Sequence, residues 1–325
     1  LLQQRLKRVI WNKQCIEQRY DKVNALLNDS QTVGNETYGV LEHHLKCIDL
    51  ERMYRRFSLG QLQPKDIPRI LNSQTNVIVI LKHIASLPTD NVLHAYLKEK
   101  QVNIQLFEKY QNDLCERFDE DKCTNVNLAN LNDTLFHKGQ YPVIDNHVAH
   151  LHALKHSVDD LAQVLMQCVP DMKLSGKQTR WIHVKHNDKE GHWLDISKNR
   201  FKVLKETLDK MTSAEKRKRI ATQVEMIGHN FSKEELSLDD LEFNTKNKSN
   251  VKISSSKLRT LSFDIQNKQQ QIIQLVRKEY TALLIDLYNK HYQTTIQPIV
   301  EYMAMLDVAF STAHNAIHNG YVCPQ

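Results

Sequence analysis

Apolar residues recur at steps of three and four along most of the chain, and at steps of two in one short stretch. From residue 145 onwards, Val148, Leu151, Leu154, Val158, Leu161 and Leu165 form one helical stripe. Asp145 stands where an N-cap belongs. Ile265, Ile272, Val276, Tyr280, Leu283 and Leu287 repeat the stripe on a helix expected over 257–292, roughly 50 Å long at about 1.5 Å per residue. Two striped helices bracketing one insertion can pack antiparallel, each covering the other's apolar face. The insertion then emerges at the far end of the pair.

The insertion holds the alternating stretch, WIHVKHNDKEGHWLDIS at 181–197. Ile182, Val184, Leu194 and Ile196 share one face of a β-hairpin whose turn is NDKEG. VKIS at 251–254 supplies a third strand, and SKNRFKVLKETLDKM reads as a basic helix followed by a polar stretch, SAEKRKRIATQ. Elsewhere the period predicts helices over 1–27, 41–58, 67–87, 89–118 and 127–137, with DEDKCTN as a polar separator. Gly60 ends one helix in the left-handed conformation and Pro64 opens the next. Pro298 breaks the chain before a last helix to about 318. The fold class is therefore mainly α, a long antiparallel helix pair interrupted by a small α+β tip. The segments are 1–166, an inserted 167–256, and 257–325.

Eight glycines and seven prolines in 325 residues suit long helices with few tight turns. Charge changes the picture more. Residues 171–260 hold 20 Lys/Arg against 13 Asp/Glu, a net of +7, while the rest of the chain holds 24 against 25. All of the excess lies in the segment with the hairpin, and a local basic excess is a statement about polyanionic partners. The cysteines at 15, 47, 115, 123, 168 and 323 have no framework spacing and read as reduced thiols of an intracellular protein, its compartment open. No apolar run is long enough to span a membrane. The chain opens LLQQRLKRVI and stops at YVCPQ, and both ends read as cut from a longer chain.

Five segments, in order, carry a family resemblance. DLERMYRRFSLGQLQPKDIPRIL (49–71) resembles the D-L-E-R…P-x-D-L segment of the lever domain in the MutS mismatch-repair family. GQYPVIDNHVAHL (139–151) is similar to the segment leading into that domain's descending helix. GHWLDISKNR (191–200) resembles a clamp strand, and VKISSSKLRTL (251–261) the clamp's exit into the ascending helix. MLDVAFSTAHNAIHNGYVCPQ (305–325) resembles the junction before the family's ATPase domain. The resemblance implies a lever interrupted by a clamp whose basic tip contacts duplex DNA. It also implies a second MutS-like subunit, and ATP with Mg in the full-length protein but no cofactor within this chain. Residues 205–250 are longer and more polar than a typical bacterial clamp, which suggests a divergent branch, viral or organellar.

The residues expected at the DNA backbone are Lys173, Lys177, Arg180, Lys185, Lys189, Lys198, Arg200, Lys202 and Lys205, as phosphate contacts that carry no base information. Without the resemblance, the same cluster reads more readily as an ordinary solvated surface. EKRKR (215–219) extends that patch, or is a solvated loop, or a nuclear signal. Trp181 and Trp193 read as a cross-strand pair in a small sheet rather than a stacking platform. His152, His156 and Asp160 share a helical face with His147 and His150 nearby, but side chains along one straight helix do not converge on zinc. Glu51 and Arg55 read as an i,i+4 pair. Phe118–Glu120 matches Phe-x-Glu outside the place of a mismatch wedge, and SGKQT (175–179) lacks the upstream Gly of a phosphate loop. No catalytic constellation stands out, so catalysis within this chain is not expected. Two other readings stay open: a protein-binding scaffold whose coiled-coil arm docks a partner, and a regulatory helical piece of an unrelated ATPase.

Overall fold

A computed structural model describes residues 12–31, 36–47, 49–126, 128, 131–167, 181–187, 190–227, 238–245 and 249–322. The chain is mainly α, with one four-stranded antiparallel sheet. Packing divides it into two units. One comprises Leu1–Ala129, Thr134–Gln140 and Leu275–Gln325, the other Asn130–Asp133 and Tyr141–Gln274.

The first unit begins with α1 (Lys13–Gln31), α2 (Glu36–His44) and α3 (Leu50–Ser58). A 3-10 turn, Pro64–Asp66, leads into α4 (Ile67–Ser86), α5 (Val92–Glu99), α6 (Ile104–Arg117) and α7 (Glu120–Asn125). The helix expected over 41–58 is thus two helices. Asp49 leaves the helical region, and its carboxylate accepts the Arg52 N–H as an N-cap. The helix expected over 89–118 is also two, each with an Asn cap: Asn91 accepts from Leu93 and Asn103 from Leu106. The described residues of 127–137 are not helical, and Phe136 forms a lone bridge with Phe118. Helix appears instead in DEDKCTN, where Asp119 accepts the Lys122 N–H and starts α7. In all four places a short polar side chain competes for backbone N–H groups and fixes a helix start.

A cluster of aromatic rings lies within this unit's largely aliphatic core. Tyr54, Phe57, Phe107 and Tyr110 are buried together, and the Tyr54 hydroxyl accepts from Gln74 Nε2 at 2.7 Å. Leu50 and Phe57 are buried as their spacing predicts, whereas Met53 is only half-buried. Arg56 reaches the buried Asp66 at 3.3 Å. Glu51 and Arg55 are both exposed and do not form the expected pair; the ion pair of α3 is the Arg56 one. Gly60 takes φ +61°, and a Cβ there would lie 2.6 Å from Thr281 Cγ2, so both backbone and space demand glycine.

Pro298 does not break the chain. The long helix α11 (Ser256–His291) passes through a π-helical turn, Tyr292–Ile296, directly into α12 (Gln297–Asn319). The Gln297 N–H reaches back five residues to the Tyr292 carbonyl. This wider turn makes room for a proline ring that would clash with the carbonyl four residues earlier.

The second unit holds α8 (Pro142–Gln167) and the first part of α11, with the tip between them. α8 starts at Pro142, so Asp145 lies in its first turn rather than at its N-cap. The charge of Lys268 acts on His147, while further along α8 Lys155 and Asp159 act on His192, whose N–H donates to Ser262 of α11. The two helices therefore run antiparallel. Leu151, Val158, Leu161, Leu165, Ile265 and Ile272 are all buried.

The tip consists of β1 (His183–Asn187), β2 (Gly191–Ser197), α9 (Lys198–Lys210), α10 (Ser213–Ile227), β3 (Glu242–Thr245) and β4 (Asn250–Ser254). Strand order is β1-β2-β4-β3. The hairpin has the expected register, with Val184 opposite Leu194 and Asn187 opposite Gly191. VKIS falls on β4, which pairs with β2; β3 is an additional edge strand that its polar sequence, EFNT, did not announce. SAEKRKRIATQ is helical rather than a loop. Thr212 and Glu215 form a capping box, the Thr212 N–H donating to Glu215 Oε2 at 2.9 Å and the Glu215 N–H to Thr212 Oγ1 at 3.4 Å.

Candidate nucleic-acid interface

α9 covers one face of the sheet. Leu204 and Leu208 are buried, and the Phe201 ring lies 5.0 Å from that of Phe243 on β3. The sequence forces this docking, because Phe201, Leu204 and Leu208 recur at helical spacing and leave the remaining positions polar. Lys198, Lys202 and Lys205 then fall within an arc of about 60° on one flank, at about 100° per residue. Arg200 lies on the other flank. Asp209, one turn past Lys205, ends the stripe.

The N-terminal end of α9 is unusually positive. Its first turn contains no acidic residue, and Ser197 makes no side-chain capping bond. Lys198, Arg200 and Lys202 therefore add to the positive end of the helix dipole instead of opposing it, at a cost of about 0.3–1 kcal/mol each. The Lys198 N–H donates to the Ser249 carbonyl at 2.9 Å, and the cations around this helix end suit an anion supplied from outside.

Several other cations of the tip already have partners. Lys185 Nζ lies 2.8 Å from Asp195, a buried carboxylate that also accepts from Asn250 Nδ2 at 2.7 Å. Lys216 pairs with Asp239, Lys252 with Glu190, and Arg259 grips Glu242 through both terminal nitrogens. Among the described residues, Lys198, Arg200, Lys202 and Lys205 have no carboxylate partner. Of the nine residues expected at DNA, those four gather on α9, and Lys185 is committed to the sheet. Lys173, Lys177, Arg180 and Lys189 lie outside the described residues.

The neighbouring candidates resolve into structure. Trp181 and Trp193 are buried, but they do not face each other. Trp193 stands opposite Lys185, and Lys252 Nζ sits 5.0 Å from its ring centre. The Trp193 face of the sheet is thus a packed cation–aromatic layer. His192 on β2 faces His186, with ring centres 4.5 Å apart. Burial, then His186 and Lys155, pushes its pKa down to about 4 against the pull of Asp159. Gly191 has φ +70°, and a Cβ there would meet Ser262 at 2.9 Å. That close approach lets Ser262 Oγ accept the His192 N–H at 2.9 Å.

His152 and His156 are exposed while Asp160 is buried, and the described residues contain no metal-binding cluster. Phe118 is fully buried against Phe136 and Tyr280 while Asp119 caps α7, so Phe118–Glu120 is structural. SGKQT lies outside the described residues. No described helix is long and apolar enough to cross a membrane. Sequence reasoning missed the helical form of EKRKR. The signal was Thr212-x-x-Glu215, a capping box directly before it.

The sequence has relatives among known proteins. The family model for MutS domain III matches residues 1–313, and the chain belongs to that family. It is 23% identical over 307 residues to the DNA mismatch repair protein mutS homolog L359 of Acanthamoeba polyphaga mimivirus, covering 93% of this chain and 25% of that protein. It is 21% identical over 327 residues to the DNA mismatch repair protein MutS of Treponema denticola, covering 100% of this chain and 30% of that protein. The chain thus spans between a quarter and a third of these relatives' lengths.

Proposed function

We propose that this chain is the lever and clamp portion of a MutS-like mismatch repair protein, and that its clamp meets the backbone of duplex DNA at the N-terminal half of α9. The observation that carries the reading is the start of α9. Cations without acidic partners crowd a helix N-terminus there that has no side-chain cap and no acidic residue in its first turn, an arrangement that favours a bound anion. The family match and the relatives' names support the mismatch-repair part of the reading. Residues 1–166 and 257–325 act as lever and 167–256 as clamp. The lever transmits the nucleotide state of an ATPase domain in the full-length protein, and a second MutS-like subunit completes the ring around DNA.

ATP and Mg belong to that ATPase domain. This chain does not fit them, because Lys177 is followed by Gln and the position of the first glycine in a phosphate loop is Asp171. The clamp's role is binding and orientation, without chemistry. Phosphate contacts through lysine act by counterion release and carry no base information. Fluorescence anisotropy with matched and mismatched duplexes tests this. One clamp without a mismatch reader should bind with Kd in the non-specific range of roughly 10⁻⁴ to 10⁻⁶ M, with no preference between the duplexes. No binding at low salt, together with salt-resistant capture of a protein partner, would favour the scaffold reading.

A further inference from the structure

We propose that the first unit carries a docking groove for a partner protein, whose occupant is a helical segment with two cationic side chains two turns apart and apolar side chains between them. The groove lies between the residues leading into α3 and the first half of α12, and encloses about 410 Å³. Leu50, Val77 and Met303 form its buried floor, while Val300, Ala304 and Val308 line one wall at half-buried positions. Those wall residues recur at steps of four, so a stripe of α12 stays half open over two turns. An apolar stripe of that length suits the apolar face of another helix.

Charge selects the occupant. Asp49, Glu51 and Asp307 line the groove, and no cation is among its lining residues. Asp49 is engaged as the cap of α3 through the Arg52 N–H. Glu51 and Asp307 are exposed and have no ion-pair partner among the described residues, whereas Arg56 of α3 pairs with Asp66, and Glu301 of α12 with Lys100. Glu51 also complements the positive end of α3, and its exposed carboxylate remains open to a cation from outside. Chain direction places the two acids. Tyr54 faces Tyr292 with ring centres 6.4 Å apart, and burial, then the Asp307 charge, pushes the Cys47 thiol up to about 11. The chain from Cys47 to Tyr54 therefore runs antiparallel to the π turn and α12. Glu51 falls toward the Val300 end, and Asp307 stands two turns past Val300, roughly 10 Å along the helix. Cations seven positions apart on a partner helix match that span, and the apolar residues between them meet the stripe. A nucleic-acid backbone is repelled by the same carboxylates.

The probe is a short, dye-labelled, alanine-based helical peptide with two lysines seven positions apart and two leucines between them on the same face. Two glutamates make it neutral, which removes generic attraction to an acidic surface. Anisotropy titration with the whole chain should show saturable binding. A peptide of the same composition with the lysines opposite the leucines should bind about tenfold more weakly. Glu51→Gln/Asp307→Asn should weaken binding of the matched peptide about tenfold, since two rim ion pairs are lost together. Asp90→Asn/Glu116→Gln, an exposed pair elsewhere in the same unit, should leave it within about twofold. Ala304→Lys puts a cation into the groove at a helical position where lysine is well tolerated, and should abolish binding. It repeats the test should the acid variant fail to fold. No binding by the wild type, equal affinity for the two peptides, equal weakening by both acid pairs, or wild-type affinity in Ala304→Lys would each overturn the proposal. Displacement of the peptide by an equal concentration of spermidine would overturn it too, by showing a site for charge alone. The reading of the α9 stripe rests on other residues and stands or falls separately.

Discussion

Lys185 Nζ stands 2.8 Å from the carboxylate of Asp195, and the two side chains differ sharply in exposure, 49% against 7%. The lysine is the counter-ion of a buried acid. Lys185→Gln should therefore destabilise the tip by about 1–2 kcal/mol, discounted from a fully buried pair because the ammonium is half in water. Adding Asp195→Asn should recover part of that loss, and a double-mutant cycle in urea denaturation reads the coupling. Additive losses would show that the pair contributes nothing to stability.

Gly60 makes a second local claim. Gly60→Ala should cost about 1–2 kcal/mol from the left-handed backbone, plus a further loss from the clash with Thr281 Cγ2. Combining it with Thr281→Ser removes that methyl and should return only the second part. Thermal melts of the three variants separate the two causes. An unchanged melting temperature for Gly60→Ala would contradict both.

Leu50 is buried at the start of α3 beside the aromatic core. Leu50→Asp should abolish soluble expression, because an unpaired buried carboxylate costs on the order of several kcal/mol. Leu50→Met, which conserves volume, should express normally. A well-folded Leu50→Asp protein with wild-type melting would remove Leu50 from the core.

His192 makes stability depend on pH. Its pKa in the folded chain is about 4, against an ordinary 6.5. As pH falls, the unfolded chain takes up the proton first. Stability is therefore lost between about pH 6.5 and about pH 4, and this group contributes no dependence above that window. Lys155 and Asp159 on α8 and His186 on β1 face it with opposing signs. Denaturation at about pH 7.5 and about pH 4.5 should show a smaller difference for His192→Gln than for wild type. Equal differences would show that His192 titrates alike in both states.

Much of this fold was legible because periodicity and register are local. The stripes of α8 and α11, the NDKEG turn and the left-handed Gly60 all follow from residue spacing. What escaped were interruptions decided by single polar side chains. Asp49, Asn91 and Asn103 are strong caps, yet apolar periodicity runs straight across them. Thr212 and Glu215 announce α10 only if a charged run is allowed to be helical. The π turn before Pro298 has no sequence signal of its own, since it relieves a clash that appears only once the helix continues. For the candidate site, composition located the cations in one segment but could not sort them. Lys185 and Lys198 look alike in sequence; only the fold sets one beside Asp195 and the other at the start of a helix with no acidic residue in its first turn.

The central claim is that the α9 stripe meets the DNA backbone, and the salt dependence of duplex binding tests it most directly. Anisotropy titrations across a salt series should give a linear log–log plot for the wild type. Lys198→Gln/Lys202→Gln/Lys205→Gln should flatten its slope by about one unit for each phosphate no longer neutralised, with helical circular dichroism unchanged. Substituting the exposed Lys65, Lys98 and Lys109 of the first unit in the same way should leave the slope within experimental error. Equal flattening by both sets, or a stripe variant with the wild-type slope, would contradict the account.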